Sequence, residues 1–203
     1  MPAARAYRGR RRSNRSVQTR QKIVDAVRTL LAEGAFHEAT VEEVADRAGI
    51  ARATLYQHFR SRLDLIDPIC DTFDANPALL RVRETVALDD ADAALAETVE
   101  QCVRFWSSEQ AILVQLYGVA AIDPAAQDLV DRQRADRRGE MSRLIRHLRG
   151  AGRLQPGLSE RRALGLLMML TAFETYRELR NAGFSDRELT STLQQSASRL
   201  LQP

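Results

Sequence analysis

The sequence predicts an all-α protein of about nine helices, and three observations carry that prediction. Apolar residues recur at three- and four-residue spacing along most of the chain, no stretch alternates with period two, and capping residues stand just before several periodic runs. The chain has 203 residues, 44% of them hydrophobic and 28% charged, enough for one packed domain or two small ones. There is no internal repeat.

Residues 1–15 lack apolar periodicity and are rich in Arg, Gly and Ser, which predicts a disordered arm. From Ser16 the pattern is helical: Ile23, Ala26, Val27, Leu30 and Leu31 fall on one face, and Gly34 ends the run. Thr40 and Glu43 form a predicted capping box for a helix to about Ala48, followed by a turn at Gly49. Arg52–Phe59 is a short helix, and Ser61 with Asp64 offers a cap for the next. Asp89 or Asp90 to Ser107 places Ala91, Leu95, Thr98, Val99, Cys102, Val103 and Trp106 on one face, with a separate short helix expected over Glu109–Ala121. Asp123-Pro124 is a cap followed by proline at the first helical position, opening a long helix to about Arg149. After a Gly/Pro loop, one helix is expected from Ser159 to about Asn181 and a last one from Ser185 to Leu201, opened by Ser185 with Glu188.

Charge is unevenly spread. The net value is +3, yet residues 1–22 carry eight cations and no acid, and residues 1–65 hold 13 cations against 7 acids. The remaining 138 residues hold 17 against 20. A basic first third on a near-neutral body points to a polyanion, with nucleic acid first. In that third, residues 40–65 read as helix, glycine turn, helix: a helix-turn-helix. Ala45, four residues before Gly49, allows close helix approach, and Val41, Val44, Ile50, Leu55 and Phe59 supply a small core. Arg52, Ala53, Thr54, Tyr56, Gln57 and His58 are left on or near the exposed side, where such a motif meets the major groove.

From Thr19 to about Leu65 the chain resembles the TetR family of bacterial transcriptional regulators. The residues that carry the likeness are Gly34, Thr40-Val-Glu-Glu-Val-Ala45, Ala48-Gly49, Thr54-Leu-Tyr56 and His58-Phe59. The resemblance implies a helix-turn-helix DNA-binding domain over 16–62 and a helical ligand-binding and dimerisation domain over 63–203. It further implies phosphate contacts from Thr40, Thr54, Tyr56 and His58, with Arg62 in place of a common lysine, and base contacts from Arg52, Ala53 and Gln57. Chemically, Arg52 suits guanine O6/N7, Gln57 suits adenine N6/N7, and Ala53 can touch only a thymine methyl. Two departures stand out: Ala51 replaces a common Ser or Thr cap, and Leu63 replaces a usual acid. Arg8-Gly-Arg-Arg-Arg12 is weakly similar to a minor-groove hook, lacking its usual proline, and reads more readily as a solvated tail adding general attraction.

For the body, the resemblance implies a homodimer through the last two helices and a small-molecule effector that releases a repressor from its operator. Leu164, Leu166, Leu167, Met168, Met169, Leu170 and Phe173 are apolar nearly all round, and Leu189, Leu193, Ala197 and Leu200 supply a candidate seam. Candidate pocket residues are Phe73, Cys102, Trp106, Tyr117, Met169, Phe173 and Tyr176, although aromatics and methionine at helical spacing are more often plain core. Glu174 lies among apolar residues and needs a partner: an Arg across the dimer, or a cation or donor on a ligand.

Catalysis has no support in the sequence. It has three histidines, two of them in the basic third, and no phosphate-binding glycine loop, nucleophile elbow or paired metal motif, so no cofactor or metal is expected. A nonspecific architectural DNA binder is the competing class. The longest nearly pure apolar stretch, Ala163–Phe173, spans 11 residues, short of the ~20 of a membrane helix. With no signal peptide recognisable and two cysteines in no zinc or redox spacing, a cytoplasmic location is expected.

Overall fold

The computed structural model describes the backbone of residues 3–60 and 63–203 and the side chains of 16–60 and 64–203. Among the described residues there are ten α-helices, one 3-10 turn and no strand. The helices are α1 (Ala3–Ala32), α2 (Val41–Arg47), α3 (Arg52–His58), α4 (Asp67–Phe73) and α5 (Pro77–Thr85), followed by α6 (Ala91–Ala120), α7 (Pro124–Gly150), α8 (Glu160–Leu170), α9 (Phe173–Asn181) and α10 (Asp186–Leu201). The 3-10 turn, Leu63–Leu65, precedes α4.

The chain divides into two compact units. One comprises the residues up to Thr72 with Ala111–Val130; the other comprises Phe73–Gln110 with Asp131–Pro203. In the first, α1 packs on α2 and α2 on α3. Ile23, Val27, Leu30, Leu31, Phe36, Val44, Leu55 and Phe59 are buried there, while Val41 and Ile50 are only partly covered. The backbone of α1 is helical from Ala3, where composition predicted an arm without regular structure; helix propagation from a packed turn is far easier than nucleation. The side chains of residues 1–15 lie outside the described residues, and with them the role expected of Arg8–Arg12.

Three helix boundaries differ from the periodicity. The two helices expected over 89–121 are one, α6, because Ser107 and Ser108 do not break it: Ser108 Oγ donates to its own helix at Phe105 O (3.0 Å) and Ser107 Oγ to Asp186 (2.6 Å). The short α5 was not anticipated, although Asn76-Pro77 repeats the cap-then-proline signal of Asp123-Pro124; Asn76 Oδ1 accepts from Ala78 N–H at 3.0 Å. The helix expected from Ser159 to Asn181 is broken at Thr171-Ala172 into α8 and α9. There Thr171 Oγ1 donates to Leu167 O at 2.7 Å, and the backbone carbonyls left at the break find distant donors. Trp106 Nε1–H donates to Thr171 O at 3.0 Å, and the Arg137 guanidinium donates to Thr171 O and to Met168 O.

The capping box of α10 forms in full: Ser185 Oγ accepts from Glu188 N–H, and the Glu188 carboxylate accepts from Ser185 N–H at 2.9 Å. Hydrogen bonds from the Ser185 hydroxyl and then its backbone hold the Glu188 carboxyl below the ordinary glutamate range. A carboxyl depressed in the folded state contributes stability that is present above its unfolded value of ~4.3 and is lost as pH falls through the folded value. Glu188→Gln is therefore expected to flatten the acid limb of a plot of urea midpoint against pH; superimposable limbs would reject the contribution.

Candidate nucleic-acid interface

A glycine-ended turn sets the geometry between α2 and α3. At Gly49, φ is 65°, a conformation open to glycine at little cost. Gly49 N–H donates to Asp46 O and Ile50 N–H to Ala45 O, the paired bonds of a Schellman stop. This turns the chain so that α3 packs back on α2, where the small Ala45 is buried. Thr40 caps α2 by accepting from Glu43 N–H at 3.2 Å. The returning half of the expected box does not form: the Glu43 carboxylate instead lies 3.5 Å from Arg47, which also meets Glu33 at 2.5 Å. α3 starts at Ala51 with no side-chain cap, as that residue's chemistry dictates.

On α3, Leu55 faces the core, and Arg52, Ala53, Tyr56 and Gln57 are exposed on the other side, with Thr54 and His58 half-buried at its margins. The expected base readers and phosphate contacts are thus carried on one short helix with Thr40 exposed at the start of α2. Arg62 and Ser61, and with Ser61 the cap expected from it and Asp64, lie outside the described residues; Asp64 accepts from Arg60 N–H at 2.8 Å. Arg52 is not loose. Its Nη1 pairs with Glu42, its Nη2 donates to Tyr56 OH at 3.4 Å, and its guanidinium lies 5.5 Å from the centre of the Tyr56 ring. The Tyr56 bond and then the Glu42 charge hold that guanidinium above its ordinary pKa.

Sequence reasoning missed one wall of this surface. An open cleft runs between the turn and α1, lined by Ser16, Gln18, Thr19 and Lys22 on one side and Thr54, Gln57 and His58 on the other. The signal was available: Ser16 and Thr19 continue the helical stripe of Ile23 and Val27 with polar residues, and Gln18 and Lys22 lie off that stripe.

In the second unit, ring contacts run from Phe73 to Phe105 (5.6 Å), Trp106 (4.8 Å), Phe173 (5.4 Å) and Tyr176 (6.2 Å). Five of the candidate pocket residues, Phe73, Cys102, Trp106, Phe173 and Tyr176, are buried there; Met169 is 54% exposed on α8, and Tyr117 belongs to the first unit. Burial pushes the Cys102 thiol up to about 11, against the opposing charge of Arg137, so it remains protonated at neutral pH. Glu174 is not enclosed by apolar neighbours: it is exposed at the start of α9 and pairs with Arg134 of the same chain at 3.0 Å. Leu189, Leu193 and Ala197 lie in the chain's own core rather than on a free seam, because α10 packs on α8 and α9. Among the described residues no group of His, Cys, Asp or Glu is arranged to hold a metal, and no helix is long and apolar enough to cross a membrane.

Residues 23–69 match the family model described as bacterial regulatory proteins, tetR family. The chain is 30% identical over 142 residues to the transcriptional repressor KstR2 of Rhodococcus jostii, covering 70% of this chain and 66% of that one. It is 24% identical over 153 residues to the transcriptional regulator UidR of Escherichia coli K12, covering 75% and 78% respectively. Its fold is similar to that of FadR from Bacillus subtilis, solved in complex with stearoyl-CoA, with a TM-score of 0.70 at 16% identity over 88% of this chain and 95% of that one.

Proposed function

The chain belongs to the TetR family of DNA-binding transcriptional regulators, and from that premise we propose that it is a repressor whose dimer leaves its operator when a small molecule binds the second unit. The observation that carries the DNA-binding half is the exposed face of α3, where Arg52, Ala53 and Gln57 stand in the most basic third of the chain. In this arrangement Arg52 and Gln57 read base edges, Ala53 reads a thymine methyl, and Thr40, Thr54, Tyr56, His58 and Arg62 hold phosphates. Ser16, Gln18, Thr19 and Lys22 extend the phosphate-facing surface onto α1.

Selection of bound duplexes from a randomised pool tests this directly. The expected product is a two-fold symmetric site with half-sites about 10 base pairs apart or a multiple of that. A pool that emerges without sequence preference would reverse the reading in favour of an architectural DNA binder.

Dimerisation is assigned to the free faces of α8 and α10. Gly165 and Met169 on α8 and Leu200 on α10 are exposed on two helices that pack together, with Leu166 half-buried beside them. Apolar groups left at the surface of adjacent helices favour a self-complementary four-helix seam. Met169→Glu is expected to shift the molecular mass in solution from dimer to monomer; a dimer that persists unchanged would move the seam elsewhere.

The effector is assigned to the aromatic run of the second unit, through Phe73, Cys102, Trp106, Phe173 and Tyr176. A site opened among these packed side chains would suit a largely apolar molecule, in keeping with the stearoyl-CoA in complex with which FadR was solved. Release follows if the ligand prefers a dimer whose α3 helices are wrongly spaced for successive grooves. A compound that binds yet leaves operator affinity unaltered is excluded as the effector.

A further inference from the structure

The Glu42–Arg52 pair is an unusual feature in a surface meant to face DNA. A carboxylate near a phosphate backbone costs affinity, and α2 could carry any helix former at this exposed position. Glu42 is the second residue of α2 and Arg52 the first of α3, so the Gly49 turn brings together two residues ten apart in the sequence. The guanidinium is held from two directions. Glu42 accepts from Nη1, and Tyr56 both accepts from Nη2 at 3.4 Å and lies beneath the guanidinium with its ring centre 5.5 Å away. The side chains are half exposed, 57% for Arg52 and 50% for Glu42, so the pair is open to exchange with an incoming ligand.

We propose that Glu42 is a specificity-determining residue that acts through Arg52. Held in this way, Arg52 engages DNA only by exchanging or sharing its bond to Glu42. The bidentate acceptor pair O6/N7 of guanine repays that exchange with two aligned hydrogen bonds and no charge. A phosphate reached by the same guanidinium would lie beside the Glu42 carboxylate, and like charges would oppose the contact. Glu42 therefore supplies a repulsive element that weakens nonspecific binding more than binding at the preferred site. Its task is positioning and discrimination rather than contact with the base.

The inference rests on the reading of Arg52 as a base reader, and the test separates the two. Duplex selection from a randomised pool is run with the wild type, Glu42→Gln, Arg52→Ala and the double variant, together with affinities for an unselected random duplex. Glu42→Gln keeps the shape and removes the charge. It is expected to tighten binding to the random duplex about two- to fivefold, the scale of an exposed ion pair. It is also expected to relax preference at the same base pair that Arg52→Ala relaxes, with no further relaxation there in the double variant. Uniform weakening on every duplex would mark a purely structural role and overturn the proposal. An unchanged profile for Glu42→Gln beside a relaxed one for Arg52→Ala would overturn it alone, as would relaxation confined to a different base pair. An unchanged profile for Arg52→Ala would remove the reading role of Arg52 and this proposal with it.

Discussion

Replacing Trp106 with alanine is expected to destabilise the protein by about 3–5 kcal/mol, the usual cost of truncating a buried aromatic. Trp106 is 7% exposed, in ring contact with Phe105 and Phe173, and under the Arg137 guanidinium at 5.8 Å. Beyond the cavity, the substitution removes the indole donor to Thr171 O in a region where Thr171 is 1% exposed. Trp106→Phe reduces the cavity effect, because it keeps a six-membered aromatic ring in place while losing the pyrrole portion and its N–H donor. Its expected cost is smaller, with about 1 kcal/mol for the lost hydrogen bond. Arg137 still donates to the same carbonyl, so that atom is not left without a partner. Trp106 is the sole tryptophan, so unfolding is followed by far-ultraviolet circular dichroism in urea rather than by fluorescence. A loss below about 1 kcal/mol for the alanine variant would show that this unit repacks around the deletion, and the aromatic run would no longer be a rigid core.

Arg52→Ala is expected to weaken binding to the preferred operator by about 1–3 kcal/mol, roughly 5- to 150-fold, and to relax preference at one base pair of each half-site. The argument is geometric. Arg52 stands at the first position of α3, exposed, with its guanidinium already oriented by Glu42 and Tyr56. Lys22→Ala provides the contrast, since Lys22 stands on the α1 wall of the cleft, where the proposed partner is the phosphate backbone alone. That variant is expected to weaken all duplexes alike and to lower the slope of log affinity against log salt by about 1. If both variants behaved alike, with uniform loss and no change of preference, Arg52 would be a phosphate contact and the reader would have to be sought at Gln57.

Much of this architecture is legible in the residues because its causes are local. Ile23, Val27, Leu30 and Leu31 announce the buried face of α1 by spacing alone, and all four are fully buried. Thr40, Asp123 and Ser185 announce helix starts because a short polar side chain reaches an amide two or three residues ahead. The recognition helix is legible for a similar reason: with Leu55 turned inward, helical geometry leaves Arg52, Tyr56 and Gln57 outward.

What escaped the sequence depends on partners far along the chain. Thr171 is an unremarkable residue in an apolar run, and nothing near it predicts a break. The break stands because Arg137, 34 residues earlier, and Trp106, 65 residues earlier, bring donors to carbonyls that a continuous helix would have satisfied itself. Leu189, Leu193 and Ala197 were legible as an apolar stripe, but no period says whether a stripe is covered by its own chain or by a second one. Glu174 was expected to be enclosed because its neighbours are apolar; Arg134, on another helix, meets it in the open.

By itself, then, the sequence determined the all-helical class, the helix starts at Thr40, Asp123 and Ser185, the turn at Gly49 and the motif of the regulator family, since each of these is written within a few residues. Only the tertiary structure decided where a long helix breaks, which apolar stripe is already covered, and which carboxylate holds Arg52. Those outcomes are set by pairings across the fold, where a donor or a charge is supplied by whichever helix happens to pack there.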